Sequence, residues 1–144
     1  MFHPTVLYED NHLLVVEKPV NIPVQEDASQ DADFLTLLKE WIKEKDHKPG
    51  NVFLGLVHRL DRPAGGVMVF AKTSKAAARL AKQMYTRTFE KEYLTIIRGT
   101  PMFSSGRLVD WLLKDERQNI VSAVEEGTPD AKCAVLEYEC LESQ

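Results

Sequence analysis

One acidic residue, Asp61, stands between two arginines in the run His58-Arg59-Leu60-Asp61-Arg62. Apolar stretches at 54–57 and 67–71 lie on either side of this run, and apolar runs of that length bounded by turn signals predict buried strands. Asp61 is therefore expected in a turn at the end of a strand. A carboxylate held among arginines stays ionised and oriented, as a nucleophile or a stabiliser of positive charge must be.

The same residues also allow a purely structural interpretation. An aspartate that follows a strand is usually a turn former, and an isolated histidine is usually a structural residue. Pro63 would stiffen the exit from the turn, and Gly65-Gly66 would let the backbone bend sharply or let a ligand approach closely. Residue types alone favour the structural interpretation. A catalytic interpretation therefore has to rest on the order of the residues.

That order resembles the signature of the RluA-type RNA pseudouridine synthases. Ala64 and Gly65 replace a threonine and a serine of the signature, whereas the matching residues are His58, Arg59, Leu60, Asp61, Gly66, Ala71 and Lys72. Two further segments match in the same order along the chain. Residues 6–10 and 13–19 together resemble the family's first motif, with Asn21 in place of a glycine. Residues 91–99, which begin with Lys91-Glu92-Tyr93, resemble its Lys-x-Tyr strand.

The resemblance implies an α/β pseudouridine synthase fold around a mixed sheet and an isomerisation of uridine in rRNA or tRNA. Asp61 would attack C1′, stabilise an oxocarbenium-like state or remove a ribose proton, and the sequence leaves these roles open. Arg59 would enter the space left by the flipped nucleotide, and Tyr93 would stack on the uracil. Because nothing is oxidised and no group is lost, neither a cofactor nor a metal is required. Further RNA contacts are expected from His58, Arg62, Lys72, Lys75, Arg79 and Lys82.

A later family segment, Gly-Arg-x-His-Gln-Ile-Arg, has no counterpart in this chain, because Leu108 follows Gly106-Arg107. In the family, the first arginine of that segment pairs with the catalytic acid. We therefore expect residues 1–144 to form the N-terminal portion of a catalytic domain that is truncated at its C-terminus. The alternative interpretation is a non-catalytic RNA-binding module or an inactive remnant of such an enzyme.

Composition is typical of a folded, one-domain protein, with 144 residues of which 44% are hydrophobic and 28% charged. No apolar run approaches the roughly 20 residues of a membrane span. The cysteines Cys133 and Cys140 have neither metal nor redox spacing. We therefore expect a cytoplasmic protein with no membrane or metal partner.

Charge is distributed unevenly along the chain. The net charge is −4, but residues 57–98 contain nine basic and three acidic residues and so carry +6, which leaves −10 for the remainder. Because phosphate binding depends on the local field, the basic stretch is compatible with an RNA partner. A solvated helix face is the alternative, since most charge runs are no more than that.

Hydrophobic periodicity predicts two helices and a mixed, largely antiparallel sheet. The helices are expected over 33–45 and 75–87, with Ser74 capping the second. The last strand alternates apolar and acidic residues and has no later segment to cover it, so self-association through an exposed sheet edge is expected. The predicted strands are 5–9, 13–18, 53–57, 66–71, 91–98, 106–113, 118–124 and 131–140.

Overall fold

A computed structural model of the chain describes residues 2–142. The chain divides into two compact units, Met1–Glu92 and Tyr93–Gln144. No helix within residues 2–142 is long and apolar enough to cross a membrane. Both cysteines, Cys133 and Cys140, are free thiols.

The first unit combines a four-stranded antiparallel sheet with two helices. The sheet has the order β1-β2-β4-β3, and every neighbouring pair is antiparallel. The elements are β1 (Thr5–Glu9), β2 (Leu13–Lys18), α1 (Phe34–Lys45), β3 (Gly55–Leu56), β4 (Gly66–Ala71) and α2 (Ser74–Tyr85). The periodicity of the sequence predicted these strands and helices closely, except that β3 is shorter than expected.

The core of this unit forms between α1 and one face of the sheet. Asp33 caps α1 by accepting a hydrogen bond from the Thr36 N–H at 3.0 Å. Positions four residues apart share a helix face, and the buried face of α1 consists of Phe34, Leu38 and Ile42. These side chains cluster with residues of β2 and β4 that share the inner face of the sheet, namely Leu14, Val16, Met68 and Phe70.

Helix α2 is capped by Thr73 and not by Ser74. The Thr73 hydroxyl oxygen accepts a hydrogen bond from the Ala76 N–H at 3.2 Å, while Ser74 is already the first helical residue. Threonine and serine are both good N-cap residues. Thr73 is the cap here because its backbone is extended, whereas the helix already begins at Ser74. Ala76 is the buried residue of this helix, so α2 exposes most of its surface.

The second unit contains a three-stranded antiparallel sheet with the order β6-β5-β7. Its strands are β5 (Ser105–Asp115), β6 (Ile120–Val124) and β7 (Lys132–Glu139). The two helices and the antiparallel pairing confirm the predicted fold class, except that the strands of the described chain are divided between two sheets. The strand predicted over 91–98 is also wrong, since these residues join no strand ladder within the described part of the chain. An alternating pattern makes a strand only where a partner supplies the ladder hydrogen bonds.

Candidate active site

The segment 57–65 connects β3 to β4 and presents Asp61 to solvent. Residues 61–64, called the Asp61 turn below, are closed by a hydrogen bond from the Ala64 N–H to the Asp61 carbonyl at 3.0 Å. Gly66 has a φ of 142°, a conformation that glycine adopts readily. At Gly65 a Cβ would lie 3.2 Å from the Lys18 carbonyl oxygen, so a side chain there would crowd the neighbouring strand.

A buried lysine anchors the Asp61 turn. Lys18 has no exposed surface, and its Nζ donates hydrogen bonds to the carbonyls of Ala64 at 2.7 Å, Pro19 at 3.0 Å, Arg62 at 3.3 Å and Asp61 at 3.4 Å. Burial lowers the pKa of Lys18, and the negative charge of Asp61 opposes this by raising it. The ammonium group therefore fixes the turn through its backbone and supplies a positive charge near the Asp61 carboxylate.

Lys18 was predicted only as part of the motif over residues 13–19. A signal for it was nevertheless present, because Leu14, Val16 and Lys18 alternate along β2 and share one face. A lysine in register with two core residues must bury its charge and find hydrogen-bond acceptors for it. Three of its four acceptors lie 43 to 46 residues further along the chain, so the sequence pattern could not identify them.

Arg62 binds a different carboxylate from the one expected. Its guanidinium donates a hydrogen bond to the Ser29 hydroxyl at 3.1 Å and forms an ion pair with Asp31. Its carbonyl accepts a hydrogen bond from the Asn21 N–H at 2.8 Å. Asp61 is thus flanked in sequence by two arginines, of which Arg62 is paired with Asp31 and Arg59 is exposed to solvent.

His58 has a structural position beside the Asp61 turn. Its Nε2 accepts a hydrogen bond from the Val69 N–H at 3.1 Å, and its ring lies 6.0 Å from that of Phe89 between centroids. Burial, and to a smaller extent the charge of Lys91, lowers the pKa of His58. The neutral imidazole thus accepts a hydrogen bond from a backbone N–H of β4, and β3 ends at Leu56, two residues before His58.

Lys72 lies at the other end of β4 from the Asp61 turn. Its Nζ donates to Glu9 Oε1 at 2.7 Å and to the Asp10 carbonyl at 2.7 Å. Burial alone would raise the pKa of Glu9, but Lys45 and Lys72 outweigh it and hold that pKa below its usual value. The Lys72 ammonium therefore ties the β1–β2 turn to the sheet, and its contact with RNA stays a prediction.

The remaining predicted site residues lie on exposed surfaces. Lys75, Arg79 and Lys82 are exposed on α2, and their spacing of four and three residues puts them on one helix face. Tyr93 belongs to the second unit, where its side chain is 66% exposed. Within residues 2–142 no group of three or more His, Cys, Asp or Glu side chains is arranged to hold a metal ion.

A family model described as RNA pseudouridylate synthase matches residues 12–144. Ribosomal large subunit pseudouridine synthase C of Escherichia coli (strain K12) is 33% identical over 127 residues, which are 86% of this chain and 38% of that protein. Ribosomal large subunit pseudouridine synthase D of Xanthomonas campestris is 31% identical over 137 residues, which are 95% of this chain and 40% of that protein. The chain therefore spans well under half the length of these curated relatives.

Solved structures show the same fold. Human RNA Pseudouridylate Synthase Domain Containing 4 superposes with a TM-score of 0.73 at 23% identity, over 97% of this chain and 54% of that chain. Human RNA Pseudouridylate Synthase Domain Containing 1 gives a TM-score of 0.69 at 18% identity, over 94% of this chain and 51% of that chain. From the match over residues 12–144, the chain belongs to the RNA pseudouridylate synthase family.

Proposed function

We propose that this chain forms the part of an RNA pseudouridine synthase that carries the catalytic carboxylate, and that Asp61 is this carboxylate. The observation that carries the proposal is the Asp61 turn, which lies within the residues matched by the family model. Its carboxylate faces solvent, where a substrate can reach it. Its backbone is fixed from the buried side by Lys18, so the position of the acid does not depend on a mobile loop.

The reaction converts uridine to its C-glycoside. The N1–C1′ bond of uridine breaks, the uracil turns, C5 bonds to C1′, the C5 proton leaves and N1 gains a proton. Asp61 acts at the ribose as the uracil detaches. Extracting the nucleotide from its stack costs on the order of a few kcal/mol. Arg59, exposed two residues before Asp61, fills the vacated space, and Tyr93 stacks on the uracil. A phenol with an ordinary pKa of about 10 is a poor base, which favours stacking as the main role.

The substrate proposed is a structured rRNA or tRNA in the cytoplasm. The names of the curated relatives refer to the ribosomal large subunit, which supports large-subunit rRNA as the first RNA to test. The exposed basic face of α2, formed by Lys75, Arg79 and Lys82, supports contact with a phosphate backbone. The proposed chemistry is an isomerisation and needs no redox cofactor.

The test is pseudouridine formation by the chain and its Asp61→Asn variant on transcripts of large-subunit rRNA and tRNA, measured by mass spectrometry. The substitution keeps the size of the side chain and removes its charge, so the rate should fall by about 10²-fold or more. Asp130→Asn is the matched control, because Asp130 has a φ of 64° in an exposed turn that asparagine tolerates.

A rate for Asp61→Asn close to that of the parent chain would contradict the assignment. RNA binding by the parent chain without any pseudouridine formation would favour the alternative, which is a non-catalytic RNA-binding module or an inactive remnant of such an enzyme.

The chain is also proposed to self-associate through β7. This strand forms an edge of its sheet, and Val135 and Leu136 on it are 43% and 57% exposed. An exposed apolar edge pairs readily with another strand. Sedimentation velocity should show a dimer whose fraction rises with concentration, and Val135→Lys should reduce it. A concentration-independent monomer would contradict this part of the proposal.

A further inference from the structure

An exposed acidic loop lies against the Asp61 turn and is held there by one arginine. Residues 25–32, called the strap below, lie between β2 and α1 and are all exposed. The strap carries the carboxylates of Glu26, Asp27 and Asp31. In the described residues 2–142, Arg62 is the only residue of the Asp61 turn whose side chain forms a hydrogen bond or an ion pair with the strap.

The strap forms a shaped acceptor for the Arg62 guanidinium. Nη1 of Arg62 donates to Ser29 Oγ at 3.1 Å, and Nη2 donates to Asp31 Oδ2. Ser29 is held in turn by Asp27, which accepts from its hydroxyl at 2.5 Å and from its N–H at 2.9 Å. Arg62 lowers the pKa of Asp31, and Ser29, through its side-chain hydrogen bond, lowers that of Asp27. Both carboxylates are therefore charged at neutral pH.

A carboxylate and a phosphate present the same kind of oxygen pair to a guanidinium. Arg62 gives one N–H donor to Asp31 and one to Ser29, and a guanidinium binds phosphate oxygens with the same donors. Arg62 directly follows Asp61, so a nucleotide that brings its ribose to Asp61 brings its phosphates close to this guanidinium. The strap itself would repel that backbone, because it adds three negative charges beside the turn.

The Arg62–Asp31 pair is weak enough to be exchanged. The side chains of Arg62 and Asp31 are 43% and 53% exposed, and exposed ion pairs contribute little to stability because solvent screens them. Breaking the pair should therefore leave the fold intact. Breaking the pair should free the Arg62 guanidinium to bind another anion.

We propose that Arg62 is a phosphate-binding residue whose site is occupied by Asp31 in the free protein, and that an RNA backbone phosphate displaces Asp31 and releases the strap. This inference rests on the proposed function, since it takes RNA as the substrate. Asp31 is thus an internal competitor of the substrate, and its removal should strengthen RNA binding.

The experiment compares Kd values of the full chain and its variants for a labelled large-subunit rRNA transcript. Asp31→Asn should bind about two- to fivefold more tightly, the factor that corresponds to a weak exposed ion pair. Arg62→Gln should bind more weakly and reduce the salt slope by about one. When Arg62 is already replaced by Gln, Asp31→Asn should increase the RNA affinity no more than Glu26→Gln does.

The matched control is Glu26→Gln, which removes the same charge from the same strap. Among the hydrogen bonds and ion pairs of the described residues, Glu26 has none with Arg62. If Asp31→Asn unfolds the chain, Ser29→Ala provides the same test, because it removes one acceptor of the guanidinium and should tighten binding in the same direction.

The inference would be overturned if Asp31→Asn and the parent chain bound RNA with equal affinity, or if Asp31→Asn and Glu26→Gln increased the affinity equally. RNA binding by the parent chain would in either case still support RNA as the partner. A parent chain that binds no RNA would overturn both.

Discussion

The position of Asp61 depends on one residue, Lys18, whose buried ammonium group lies next to the Asp61 turn. Burying a charge is costly unless hydrogen bonds replace its water. Four carbonyl oxygens do this for Lys18, and three of them belong to the Asp61 turn. Removing the ammonium leaves those carbonyls without their donor, so the backbone that carries Asp61 should be destabilised.

Lys18→Met should lower the free energy of unfolding by about 2–4 kcal/mol, because buried acceptors lose their donor. It should also reduce the rate of pseudouridine formation by more than the loss of folded protein explains. Urea unfolding and single-turnover rates measure the two effects. Lys43→Met, at an exposed position of α1, is the control and should change stability by less than about 0.5 kcal/mol. Unchanged stability of Lys18→Met would contradict the anchoring role.

His58 should make stability depend on pH below neutrality. Its pKa in the folded chain is lowered from the ordinary value of 6.5, so the unfolded chain binds the proton more readily. The contribution of the neutral imidazole is therefore present above pH 6.5 and is lost as the pH falls through the lowered pKa. Urea unfolding between pH 7.5 and pH 5 should show a smaller loss of stability for His58→Gln than for the parent chain. His3→Gln, at an exposed position, should behave like the parent.

At the scale of elements, α2 gives the protein a concentrated basic face. The helix packs on the sheet through few residues and exposes three cations at helical spacing. Helix α1 also carries lysines, but it buries its apolar face in the core, and its Lys45 is paired with Glu9. The two helices therefore offer a matched comparison between a cationic face and scattered lysines.

Replacing Lys75, Arg79 and Lys82 by glutamine should weaken RNA binding and flatten its salt dependence, since each lost phosphate contact reduces the slope by about one. Replacing Lys39, Lys43 and Lys45 on α1 by glutamine should have little effect. Kd values measured over a range of salt concentrations would test this. Equal effects of the two triple variants would mean that the face of α2 is only solvated.

Sequence patterns predicted those elements whose signals are local. The alternation in β2 and the four-residue spacing in α1 are properties of neighbouring residues, and both elements were placed correctly. Partners distant in sequence decided the rest. The His58 side chain binds the N–H of Val69, 11 residues away on β4, and residues 91–98 join no strand ladder in the described chain.

Within the site, the position of Asp61 in a turn followed from its flanking runs, whereas its charged neighbours did not. Arg62 bonds to residues 31 and 33 positions away, and Lys18 to carbonyls more than 40 positions away. Which charge approaches which acid therefore depends on tertiary packing, which residue order does not specify.

At the scale of the whole molecule, burial is confined to one unit. Every buried residue of the described chain lies between Leu14 and Ala76, and none lies within residues 93–142. A three-stranded sheet needs an apolar face packed against something to be stable by itself. The two units should therefore differ in local stability, and association should protect the second unit more than the first.

Amide hydrogen exchange should reveal this difference. In dilute solution, amides of β2 and β4 should exchange slowly, and those of β5, β6 and β7 should exchange much faster, because their opening exposes little buried surface. Raising the protein concentration should slow exchange in β7 selectively if this edge pairs between copies. Equal protection of both sheets in dilute solution would contradict the expected difference.

The enclosure of Lys18 also affects its reactivity toward acylating reagents. An amine must be unprotonated and accessible to react, and although burial lowers the pKa of Lys18, the group has no exposed surface. Exposed amines such as those of Lys43 and Lys75 should be acylated first. Labelling of Lys18, followed by peptide mass spectrometry, would then report how often the Asp61 turn opens, which makes this lysine an intrinsic chemical probe of the site.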